Sequence, residues 1–190
     1  MALMEWANLK AHELRTLATD GAVVIAPVAA MEQHGPHLPV QVDSRLATEV
    51  SHRAARKAHN EQATVVLPVV WAGLSEHHMP FGGTITLDYE TLLSIFRCIV
   101  DSVQRHGFNK VLILNGHGGN SDHVGVAGQD LVNRLGQPVT VASCNYWDLT
   151  RDALVEKGLI EGSRVPGHAA HFETALVMAL RPDWVDADAL

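Results

Sequence analysis

Residues 21–43 read GAVVIAPVAAMEQHGPHLPVQVD. The first ten, Gly21 to Ala30, form an apolar run short enough for one buried strand. Glu32, Gln33 and His34 follow at once, then Pro36, Pro39 and Asp43. The chain thus leaves a buried strand directly into acids and imidazoles. Three further strand runs follow: ATVVLPVVWAG at 63–73, KVLIL at 110–114 and PVTVASCNYW at 138–147. Pro68 inside the second argues for an edge strand or a bulge.

Helical patterns separate these runs. Leu9, Leu14 and Leu17 space a helix over 6–18, ended by Thr19-Asp20-Gly21. Residues 44–60 are rich in helix formers and charge, with Ser44 placed to cap them. Asp88 precedes an apolar-periodic helix over 89–106, closed by Gly107. Helices are also expected over 124–136, stopped by Gly136, over 148–158, and over 171–182, stopped by Pro182. Strands alternating with helices imply an α/β fold around a largely parallel sheet.

At 190 residues the chain fits a single domain, 1–190. Apolar residues make up 47% and charged residues 18%, which excludes a disordered chain. The net charge of −7, with no basic block, argues against nucleic acid or an anionic membrane as partner. No apolar run approaches the roughly 18–20 residues of a membrane span, and the N-terminus lacks the order of a secretion signal. Cys98 and Cys144 stand far apart and form no CxxC, so both read as small hydrophobes of a reduced, cytoplasmic protein. Twelve histidines are many for this length, and several cluster with acids and glycines.

Open parallel sheets bind ligands at the carboxyl ends of their strands, and the polar clusters fall there. Glu32 and His34 are two apart in extended chain and can address one volume. Asp43 returns just before a helix. Two carboxylates and an imidazole suit zinc, manganese or iron, and one carboxylate can bridge two ions. The competing reading makes Asp43 a helix cap and Glu32 a solvated loop residue. The run LILNGHGGN delivers His117 between glycines at a strand end; it lacks the lysine of a P-loop and does not match GxGxxG. GHAAHFET adds His168, His171 and Glu173. A donor set free of cysteine, without HExxH, points to an open metal site and not to structural zinc or a zincin.

These residues resemble the creatininase (creatinine amidohydrolase) family. The resemblance rests on EQHGPHLPVQVD, SEHHMPFGGTITL, FNKVLILNGHGGN, NYW and GHAAHFET, which run in family order from Glu32 to Thr174. It implies a three-layer α/β/α sandwich around a mostly parallel sheet, a binuclear metal centre and a homohexamer. Carried over, Glu32, Asp43 and His117 resemble the ligands of one divalent ion. His34, Asp43 and a second glutamate resemble those of the other, with zinc expected first and manganese or iron as alternatives. Creatininase itself has Tyr and Glu where this chain has Gly118-Gly119, so Glu173 is the replacement ligand. That departure points to an NGHGGN-type branch and argues against creatinine as substrate. Glycine also stands in SEHHMPFGGT where the family commonly has proline. The chain is shorter than most members, so a C-terminal segment is expected to be missing after RPDWVDADAL.

The expected activity is metal-dependent hydrolysis of a C–N bond in a small amide, cyclic amide or formamide. Hydroxide from metal-bound water attacks the carbonyl, and His168 passes a proton to the leaving nitrogen. Trp147 is read as an apolar substrate wall or as core, Gly118 and Gly119 as oxyanion donors, and His78 as a cleft residue. A polar loop is an even alternative for His78, and His77 is the same even choice. The rivals are a keto-sugar, cyclitol or lactone substrate at the same centre, and a non-enzymatic metal- or nucleotide-binding α/β module.

Overall fold

Strands β1 (Val23–Val28), β2 (Thr64–Val66), β3 (Lys110–Asn115) and β4 (Thr140–Asn145) run parallel in the order β2-β1-β3-β4. The computed structural model describes residues 4–135, 139–160 and 165–190. Helices α1 (Ala11–Thr19), α2 (Val42–Ala58), α3 (Tyr89–Arg105), α4 (Ser121–Leu135), α5 (Arg151–Glu156) and α6 (His171–Leu180) complete the fold. Gly136, the expected stop of α4, lies outside the described residues.

The two-residue period of the strands sorts the apolar side chains into two cores. Val24, Ala26, Val28, Val111 and Ile113 pack with Leu17 of α1, Phe96 and Val100 of α3, and Val124 and Leu131 of α4. Ile25, Leu112 and Leu114 pack on the other side with Val42 and Leu46 of α2 and Val177 of α6. The expected three layers follow. From β1 the chain crosses outward to β2, then returns past β1 to β3 and β4. The order therefore reverses between β1 and β3, and their carboxyl ends open the crevice where such sheets bind ligands. Among the described residues, no helix is long and apolar enough to cross a membrane.

The second strand is shorter than its apolar run because Pro68 breaks the ladder. Leu67 N–H donates to Ile25 O, and the next bond on that side is Val70 N–H to Pro27 O. Three residues on the edge strand thus span two on β1, which is a bulge. Ile25 O and Ala29 N–H both face β2, so alternation puts the Pro27 nitrogen on the same side, at the bulge. An internal strand tolerates this proline because no acceptor there needs its missing N–H.

Asp88 caps α3 as expected, accepting from Thr91 N–H at 2.7 Å, and Gly107 takes φ 94° just beyond it. Ser44 does not cap α2. The helix begins two residues earlier, at Val42, with Gln41 as N-cap. Ser44 Oγ instead donates to Ala30 O (2.8 Å) and Trp71 O (3.2 Å). It ties the start of α2 to the segments leaving β1 and β2, and that tie fixes Asp43.

Leu46 is 1% exposed beneath the sheet. Leu46→Ala should cost about 2–5 kcal/mol in a urea unfolding titration; a loss under about 1 kcal/mol would show that α2 is not anchored as described.

Candidate metal centre

Five polar side chains meet at the crevice. The chain after β1 delivers Glu32 and His34, the first turn of α2 Asp43, the end of β3 His117, and the first turn of α6 Glu173. None is more than 4% exposed. Three carboxylates so buried need partners or a cation, because desolvating a charge is expensive.

Asp43 sits between two imidazoles. Its Oδ2 lies 2.9 Å from His117 Nδ1, and its Oδ1 3.2 Å from His34 Nε2. Glu32 Oε1 lies 3.3 Å from His117 Nδ1, and Glu173 Oε2 3.7 Å from His34 Nε2. The outer nitrogen of each ring faces a carbonyl. His34 Nδ1–H donates to Glu32 O (3.1 Å), and His117 Nε2–H donates to Leu74 O (3.1 Å). In the neutral ring, the inner nitrogen then carries the lone pair and faces carboxylate oxygens. Lone pairs at this spacing repel unless a proton or a cation lies between them. Glu32 Oε2, His34 Nε2 and Asp43 Oδ2 are buried without a hydrogen-bond partner. Asp43 Oδ2 and His117 Nδ1 are thus close but not aligned for a hydrogen bond. Orphaned donors, carbonyl-backed imidazoles and bridging carboxylate oxygens all fit divalent metal.

Protons are the alternative filling. Burial depresses the His34 imidazolium, but Asp43 and Glu173 outweigh it and lift the pKa to about 9. Burial also depresses His117, and Asp43 and Glu32 lift it to about 10. Burial and the Asp43 charge, partly offset by His34, raise Glu173 to about 7. Burial raises Glu32, yet hydrogen bonds from His117 and His168 carry it well below the usual carboxylate range.

The donor atoms of His34, Asp43 and Glu173 lie within 4.8 Å of one another, as do those of Glu32, His77 and His117. The first trio is the set expected for one ion. The second holds His77 where the expected set had Asp43, and the His77 ring stacks 6.0 Å from His117. The sequence leaves His77 and His78 undecided, because nothing in SEHH says which histidine turns inward.

Beside the buried group lies a cleft of about 270 Å³, lined in part by His77, His78, Gly118, Gly119 and His168. His168 stands in the loop before α6, its side chain 34% exposed and its Nδ1 3.4 Å from Glu32 Oε1. Next to it Ala169 adopts φ 49°, a region costly for a residue with a Cβ, and its N–H donates to Glu173 Oε2 at 2.7 Å. His78 Nε2 lies 3.6 Å from Glu32 Oε1. Trp147 is 4% exposed, packed edge-on against Tyr146 in the α2/α6 core, and does not line this cleft. His171 opens α6 and faces outward. Asn115, fully buried, braces the His117 loop by donating to His117 O (2.7 Å) and accepting from His117 N–H (3.1 Å).

Fold and donor set together define an α/β protein with an oxygen- and nitrogen-donor metal centre at its switch point. The chain belongs to the creatininase family: the family model, described as creatinine amidohydrolase, matches residues 7–190. It is 34% identical to the creatinine amidohydrolase of Pseudomonas putida, over 94% of this chain and 72% of that one. It is 29% identical to a mycofactocin precursor peptide peptidase of Mycolicibacterium smegmatis, over 93% of this chain and 65% of that one. A crystal structure of creatinine amidohydrolase superposes with a TM-score of 0.89 at 29% identity, covering all of this chain and 77% of that one. A mutant creatininase of Zn-Zn type superposes with a TM-score of 0.88 at 30% identity, covering all of this chain and 77% of that one.

Metal uptake should release protons, since both imidazoles must be neutral to bind and are held protonated up to about pH 9 and 10. Affinity should therefore weaken as pH falls from 9 toward 6. Calorimetry of zinc binding near pH 7 in buffers of different ionisation enthalpy should give about two to three protons released per chain, two from the imidazoles and a fraction from Glu173; none released would contradict the assignment.

The two glycines should differ. A Cβ on Gly119 would stand 2.3 Å from Leu74 O and 2.5 Å from His117 Nε2, whereas one on Gly118 meets nothing within 4 Å. Gly119→Ala should reduce metal content and melting temperature, and Gly118→Ala should leave both near wild type. Equal behaviour would refute the packing around His117.

Proposed function

We propose that the protein hydrolyses a C–N bond in a small amide, cyclic amide or formamide. Glu32, Asp43 and His117 would hold one divalent ion, and His34, Asp43 and Glu173 a second. The observation that carries this reading is Asp43, whose two oxygens face two different carbonyl-backed imidazoles. Zinc is the first expectation, with manganese or iron next, since the donors suit all three. Structures of creatininase of Zn-Zn type and with Mn support zinc and manganese.

Two such ions would supply Lewis acidity, lowering the pKa of water and polarising a carbonyl. The chain's own groups do the rest. Glu32, Asp43 and Glu173 neutralise the positive charge within a buried volume. His168, at the cleft edge, holds a proton near Glu32 Oε1 and is placed to pass it to the leaving nitrogen. Gly118 and Gly119, in the short turn just before α4, line the same cleft, and their backbone N–H groups would suit a developing oxyanion. A cleft of about 270 Å³ favours a small substrate. Family resemblance and the free thiols of Cys98 and Cys144 support a homohexamer in a reducing, cytoplasmic setting.

Metal analysis and a hydrolysis panel of cyclic amides, formamides and lactones test this. Wild-type protein should carry about two ions per chain and turn over a C–N substrate. Asp43→Ala should lose both ions and cut turnover more than about a hundredfold, beyond what an outer-shell partner costs. Equal hydrolysis by chelator-stripped protein would exclude the mechanism. Turnover of lactones alone would move the substrate class.

A further inference from the structure

Gln33 stands between the two candidate ligands Glu32 and His34 but points the other way. Its Nε2 lies 3.0 Å from His78 Nδ1 and 2.9 Å from His168 Nε2. Its Oε1 accepts from Gly35 N–H at 2.9 Å. That last bond fixes the amide's orientation, since a backbone N–H can meet only the oxygen. The amide nitrogen carries two hydrogens and no accepting lone pair, so it must donate to both rings. His78 Nδ1 and His168 Nε2 therefore carry lone pairs, and the ring protons sit on His78 Nε2 and His168 Nδ1. Both of those atoms face Glu32 Oε1, at 3.6 and 3.4 Å.

We infer that Gln33 is a positioning residue that sets the tautomers of His78 and His168, making them proton holders toward Glu32 and keeping them out of metal coordination. The contrast with the buried pair is chemical. A carbonyl behind His34 and His117 leaves a bare nitrogen facing inward. An amide N–H behind His78 and His168 leaves an N–H facing inward. Four of the five imidazoles around Asp43 and Glu32, all but His77, are thus divided two and two by what stands behind each ring. The division matters because a donor atom of His168 lies within 4.8 Å of donors on Glu32 and His34, close enough to compete for an ion. With its proton on Nδ1 it cannot ligate through that atom. Both N–H groups face Glu32 Oε1, and Oε2 remains the buried oxygen without a partner. The His78 and His168 rings stack 4.2 Å apart and share one amide nitrogen.

The inference rests on the metal-centre reading only for its consequence; the tautomers themselves are observable without turnover. Nitrogen-15 spectra of histidine-labelled protein, chelator-stripped and zinc-loaded, would read them directly. Wild type should show His168 with a protonated Nδ1 and bare Nε2, and His78 with a protonated Nε2 and bare Nδ1, in both forms. Gln33→Glu keeps an acceptor for Gly35 N–H but can no longer donate to the rings. It should move protons onto His168 Nε2 and His78 Nδ1, with a melting temperature near wild type. Gln33→Met, lacking either function, should leave both rings as tautomer mixtures. Opposite tautomers in wild type, or unchanged tautomers in Gln33→Glu, would overturn the assignment. Correct tautomers in a protein that binds no metal would leave the inference standing and sink the metal-centre reading.

Discussion

A carboxylate held between two imidazoles, out of reach of water, is the constraint on which the rest of the structure turns. Asp43 is 2% exposed, and each of its oxygens meets a different ring nitrogen. Carbonyls behind those rings orient lone pairs inward in the neutral state, so negative charge faces electron density on both sides. Only protons or cations make the arrangement tolerable. Protons suffice in the metal-free protein, which is why both imidazolium ions are so strongly favoured. A structural network would ordinarily align its hydrogen bonds, and this one leaves buried donors and acceptors unsatisfied.

The fold is arranged to hold that carboxylate still. The sheet reverses order between β1 and β3, opening a crevice into which Glu32, His34 and His117 project. Ser44 hooks the first turn of α2 to Ala30 and Trp71, and Leu46, two residues further, sits in the core beneath the sheet. Asn115 clamps the His117 backbone from within the strand end. Each donor therefore comes from a rigid element or the first residues beyond one, as a preorganised site requires.

How much of this was legible in the sequence depended on whether the signal was local. Alternating apolar runs and caps gave the strands and helices, and Asp88 and Gly107 behaved as their chemistry dictates. The convergence of Glu32, His34, Asp43 and His117 was legible because strand ends in a parallel sheet meet at one crevice. Ser44 was misread because a serine at a helix start usually caps, whereas here a tertiary contact claims its hydroxyl. The bulge at Pro68 truncated a strand that its apolar run made look longer. Gln33 was invisible, since its role depends on rings 45 and 135 residues away. Trp147 could be read as wall or as core from sequence, and only packing against Tyr146 locates it.

The central claim is that Asp43 bridges two cations. Anomalous diffraction from crystals grown with zinc, recorded on both sides of the zinc edge, tests it most directly. The account predicts two peaks per chain flanking the Asp43 carboxylate, one beside Glu32 and His117 and one beside His34 and Glu173. A single peak, or peaks that do not touch Asp43, would contradict it.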